Sequence, residues 1–113
     1  MTKPADLKRL AEVAQVMLDH RLDQLRGTAA ELDRSRMQRA ALAPAPSPAD
    51  LDPVMAGKVA LAYDRWADHR RAELNLVIAR QTAAWMDARG EAQTAFGRVQ
   101  ALQSLATRLK DRR

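Results

Sequence analysis

No cysteine occurs among the 113 residues, which excludes disulfides, thiol nucleophiles and thiolate-bound metals. Aromatic residues make up 4% of the chain, too few for the large side chains of an ordinary globular core. Glycine occurs 4 times and proline 5 times, so turns are scarce. All but one of the prolines lie in or at the edge of a single stretch, "LAPAPSPADLDP", from Leu42 to Pro53. Long apolar runs are missing too. The opening residues "MTKPADLKRLAEVAQ" carry charge from Lys3 onward, which predicts neither a signal peptide nor a spanning helix, and by default a cytoplasmic protein.

What is present is mostly Ala, Leu, Arg, Gln and Asp, all of them common in helices, with few β-branched residues. The composition predicts an all-α chain built on an Ala/Leu stripe between helices. A first helix is expected over about residues 4–43. Pro4 suits a first-turn position, where its missing N–H has no helical partner anyway. Apolar residues then recur at helical spacing: Leu7, Leu10, Ala14, Met17, Leu18, Leu22, Leu25, Ala29 and Leu32. Leu18, Leu25 and Leu32 fall on one heptad position, with Leu22 and Ala29 completing a short seam that degrades at Arg36 and Arg39.

Pro44, Pro46 and Pro48 exclude a helix across residues 44–52, since each lacks a donor and clashes with the preceding turn. Asp52-Pro53 reads as an N-cap followed by Pro at the first helical position. The second helix is expected over about 53–110. In alternating steps of four and three its seam is Leu74, Ile78, Gln81, Trp85, Ala88, Ala92, Ala95, Val99, Leu102, Ala106 and Leu109, apolar except at Gln81. Upstream, Val59, Tyr63 and Trp66 form a stripe on a shifted phase that Arg70 interrupts, which predicts a stutter. A short connector between two such helices predicts one antiparallel coiled-coil hairpin over residues 1–113, with the second helix longer than the first.

Measured back from the turn, the first helix is expected to run out opposite roughly Gly90 to Ala92. Ala92, Ala95, Val99, Leu102, Ala106 and Leu109 would then continue the seam without a partner, flanked by Phe96 and Leu105. Arg98, Arg108, Lys110, Arg112 and Arg113 outnumber Asp111 in this tail, which suits an acidic groove on another protein. Pairing of the same stripe with a second copy of the chain is the competing outcome. Ala83, Gly90, Gly97 and Ser104 also recur every seven residues. They mark either the close approach of a second backbone or tolerated exposed positions.

Catalytic chemistry finds little support. His20 and Asp23 share a helix face, but two weak ligands make a poor metal site and His69 lies on the other helix. Glu73 and Asp87 have no carboxylate partner on their faces, and no phosphate-binding loop is present. The reading is therefore a non-enzyme without cofactor or metal. The net charge of +5 and a pI of about 10.4 permit nucleic acid. Acids interspersed among the arginines, such as Asp33, Asp64 and Asp68, break any continuous basic stripe.

One stretch carries a resemblance. "WMDARGEAQTAFGRVQALQSL", Trp85 to Leu105, sets an aromatic on the seam, then Glu91-Ala92, then Ala95-Phe96-Gly97-Arg98, then Leu102 and Leu105. It resembles the C-terminal helix of the flagellar and type III secretion export stalk family (FliJ/YscO type). The resemblance implies a cytoplasmic two-helix antiparallel coiled coil, peripheral at the membrane through the export apparatus. Its terminal end would enter the ring of the export ATPase and contact the export gate or chaperones. On that reading Trp85, Ala92, Ala95, Phe96, Arg98, Val99, Leu102, Leu105 and Leu109 form the partner-facing part.

Overall fold

The computed structural model describes residues 4–42 and 50–112. It is an all-α antiparallel hairpin of two helices, α1 (Pro4–Ala40) and α2 (Pro53–Asp111), with 37 residues in the first and 59 in the second. Local chemistry sets the ends. Asp6 lies in the first turn of α1 and Arg39 in its last, each complementing the helix dipole. Beyond Ala40 the Ala41 N–H still donates to Met37 O at 2.9 Å, and the Leu42 N–H donates to Arg39 O at 3.2 Å, which tightens the final turn. The helix thus stops short of Ala43. Pro44, Pro46 and Pro48, and with them most of the expected turn, lie outside the described residues.

At the start of α2, Asp52 acts as the expected cap. Its Oδ1 accepts the Met55 N–H at 2.8 Å and its carbonyl accepts the Ala56 N–H at 2.9 Å, while Pro53 fills the position that needs no donor.

The chain divides into two compact units. The terminal half joins Met1–Ala30 to Ala83–Arg113, and the turn half is Glu31–Thr82. In the terminal half, Leu7, Ala14 and Leu18 of α1 are buried, as are Ala88, Ala92, Ala95 and Val99 of α2. Ala14, Leu18, Ala95 and Val99 form one cluster, with Leu22 and Leu102 half-buried against it. Small alanines from both helices let the backbones approach, and the leucines fill the layers between them. The direction is antiparallel: Arg21 reaches Glu91 at 2.8 Å, while Leu7 shares a groove with Ala106 and Leu109.

That pairing overturns the expected overhang. Val99 is only 7% exposed, and Leu102 packs on the cluster built by Ala14 and Leu18. The α2 seam does not outrun α1 at the termini. Its surplus lies in the turn half, where the end of α1 sits beside the middle of that unit's α2 segment. Arg39 Nη1 donates to Asn75 Oδ1 at 3.0 Å, and Arg71 Nη2 donates to Leu42 O at 2.8 Å. The stretch from Pro53 to about Arg70 therefore precedes any pairing with α1. The tight-turn assumption failed on chain reach. The link from Ala40 to Pro53 can span ~43 Å at ~3.3 Å per residue, whereas ~20 residues of helix rise only ~30 Å. The connector is long enough to reach a helix that starts well beyond the end of α1.

In the turn half, Leu32 and Ser35 of α1 and Ala67, Leu74 and Ile78 of α2 are buried. The upstream stripe differs from the expected one. Tyr63 turns inward with Ala60 and Ala67, but Val59 and Trp66 are exposed, and the Trp66 ring lies 5.7 Å from that of Tyr63. Between Ala67 and Leu74 the seam passes through half-buried Arg70 and Arg71, whose aliphatic stems can occupy a seam position while their guanidinium groups stay wet. The steps from Arg70 to Leu74 to Ile78 are both four residues, which is the phase shift of a stutter.

α1 itself keeps an unbroken alternation of four and three from Leu7 through Ala11, Ala14, Leu18, Arg21, Leu25, Thr28, Leu32, Ser35 and Arg39, all buried or half-buried. Leu10 and Met17 fall one step off that line and are exposed, contrary to their expected place in the core.

Candidate partner-docking site

The residues expected to face a partner separate into two groups. Ala92, Ala95 and Val99 are buried in the hairpin's own seam, and Leu102 and Leu109 are half-buried along it. Trp85 is also half-buried, with the Arg89 guanidinium 5.6 Å from its ring centre, a cation–π contact at the rim. These side chains hold the terminal half together. Phe96, Leu105 and Arg98 are exposed, the first two at 52% and 42%. A single amphipathic helix produces both groups because Phe96 directly follows seam residue Ala95, whereas Arg98 and Leu105 lie one place off the seam on its other flank.

The flank that carries Arg98 continues onto α1. Leu10, Val13 and Met17 line an open groove with Ala14, Ala95, Arg98, Ala101 and Leu102. An adjoining depression shares Met17, Ala95 and Arg98 and extends to Met86 and Gly90. The sequence held a signal for this face, since Leu10, Val13 and Met17 recur at steps of three and four. That signal was absorbed into the core stripe, because Leu10 and Met17 fit a helical period as well as the true seam residues do.

Charge is uneven between the halves. Eleven basic residues face seven acidic ones in the terminal half, against eight and seven in the turn half. Gly90 and Gly97 lie in the terminal half, and a Cβ added at either would meet nothing within 4 Å, so among the described residues no backbone closes on that face.

His69 Nε2 lies 3.1 Å from Glu73 Oε1 one turn away along its own helix. Among the described residues no three His, Asp or Glu side chains gather as a metal ion would require. None of the described helices is long and apolar enough to cross a membrane. One polar atom stands out in the turn half: Gln81 Oε1 is buried without a hydrogen-bond partner. Comparison with known proteins adds no relative, as no family model, curated protein or solved structure matches the chain.

Proposed function

We propose that the chain is a non-enzymatic coiled-coil stalk or adaptor of a flagellar-type protein export apparatus, engaging the export ATPase ring through its terminal half and linking that ring to the export gate or chaperones. The resemblance of Trp85–Leu105 to the export stalk family supports this reading, as does the antiparallel two-helix architecture. The observation that carries it is the division of labour within that stretch. Its seam residues close the hairpin, while Phe96, Arg98 and Leu105 stay outside and available. Docking then uses the outer surface of a closed coiled coil, and the excess of basic residues in the terminal half suits an acidic ring lumen.

Capture of the export ATPase by the tagged chain tests it. Wild type retains the ATPase, and Phe96→Glu together with Leu105→Glu lowers capture about tenfold or more while circular dichroism keeps the helical signal. Undiminished capture by the double variant, or no capture by wild type, contradicts the reading.

A self-associating coiled coil is the second reading, favoured by exposed Met55, Val59 and Trp66 on the α2 segment that precedes pairing with α1. A stable dimer in sedimentation that Trp66→Glu dissociates would support it over the first.

A further inference from the structure

The strongest unexplained surface lies on the Arg98 flank of the terminal half. Leu10, Val13 and Met17 stand open there, Val13 at 57% exposure, along one edge of a groove. Arg98 and Ala101 form the opposite edge, and Ala14 and Ala95 line the groove between the helices. Apolar side chains at steps of three and four along one edge are what a further helix packs against, and small residues between two helices let it settle close to their backbones.

We propose that this groove receives an amphipathic helix from a partner protein, with an apolar face and acidic flanks, laid beside the hairpin as a third helix. Charge selects the occupant. Arg98 is the one charged side chain lining the groove itself and forms no ion pair among the described residues. The acids Asp87 and Glu91 line the adjoining depression, Glu91 engaged by Arg21 at 2.8 Å. The surrounding half is net basic as well. A second copy of the chain would bring the same excess of positive charge against itself, which disfavours it as the occupant. A lipid surface is flat and gains nothing from a groove lined by alanine. An acidic helix satisfies Arg98 and covers Leu10, Val13 and Met17 together. The groove shares Arg98 with the export reading but not Phe96, and Val13 belongs to the groove alone, so Val13→Glu that loses the peptide while keeping ATPase capture separates the two.

The test uses the full chain and fluorescence anisotropy with a labelled helical peptide of about 20 residues, long enough to follow the groove. The peptide carries Leu at steps of three and four, with Glu flanking the stripe. A matched peptide carries Lys in place of Glu. The Glu peptide is expected to bind saturably, and the Lys peptide about tenfold more weakly or not at all. Val13→Glu and Arg98→Glu each reduce binding of the Glu peptide by about tenfold, while Phe96→Glu on the other flank leaves it unchanged. Val13 is exposed, so helicity by circular dichroism should be retained in its variant.

Several results overturn the proposal. These are no saturable binding, equal binding of the two peptides, or indifference to Val13→Glu in a folded variant. A dimer that Val13→Glu dissociates would assign the groove to a second copy. Binding to anionic phosphatidylglycerol vesicles that Val13→Glu abolishes, without peptide binding, would assign it to a membrane.

Discussion

In α1 the terminal and turn halves share one alternation of four and three, while α2 breaks it with a stutter in the turn half, and the two halves fill their seams differently. In the terminal half the buried positions are apolar, and Ala14, Leu18, Ala95 and Val99 make a continuous cluster. In the turn half Ser35 is buried, Gln81 leaves Oε1 without a partner, and Arg39 and Arg71 anchor the end of α1 through Asn75 and the Leu42 carbonyl. The contrast separates two tasks of a hairpin. One half gains its stability from dispersion and the exclusion of water from small, close-packed side chains. The other uses polar groups that each satisfy few geometries, which fixes register at a cost in stability.

Substitutions can break or sharpen this contrast. The largest expected effect is that of Val99→Asp, which places a carboxylate within the Ala14–Leu18–Ala95 cluster. A loss of several kcal/mol is expected, seen as a sharp fall in melting temperature by circular dichroism. A variant that melts like wild type would mean Val99 is open and the terminal half is not a sealed unit. Gln81→Leu should act in the opposite direction. Removing the buried, unpartnered oxygen stabilises the chain by about 1–2 kcal/mol in urea unfolding, and destabilisation would show that Gln81 is satisfied after all. Gly97→Ala removes backbone freedom from an open helical position and should add ~0.5–1 kcal/mol. A drop instead would reveal a second backbone closing on that face. The smallest effect belongs to the Arg21–Glu91 pair, whose side chains are 34% and 54% exposed. A double-mutant cycle is expected to give a coupling under ~1 kcal/mol, falling further in high salt.

Much of this contrast can be read from the residues, and what escaped has a physical reason. The α2 seam from Leu74 to Leu109 was legible because its alternation is long and regular, and of its positions only Ala106 is exposed. The Asp52-Pro53 start was legible because a cap and an N1 proline are local chemistry. Register was not. It depended on how far the proline-rich connector reaches, and spacing within a helix says nothing about which residue of another helix stands opposite.

The same gap misassigned Val99 and Leu102 to a foreign partner. It also hid the groove at Leu10, Val13 and Met17, since an apolar residue one step off a seam satisfies a helical period too. Val59 and Trp66 misled for a related reason. They are large and apolar, but Ala60 and Ala67 hold the inward positions beside Tyr63. Of the expected docking residues, Phe96, Arg98 and Leu105 kept an outward place because flanking positions follow from the seam alone, whatever lies across it.

Register within the terminal half is the point on which the closed hairpin stands, and the absence of native cysteine makes it directly measurable. Ala14→Cys combined with Val99→Cys, oxidised at low protein concentration, should give a disulfide within one chain and a faster-migrating monomer on a non-reducing gel. Failure of that pair to close while Ala14→Cys with Gln81→Cys does so would restore the tight-turn register and leave the α2 end open. Cross-linked dimers in place of the internal bond would contradict the intramolecular hairpin.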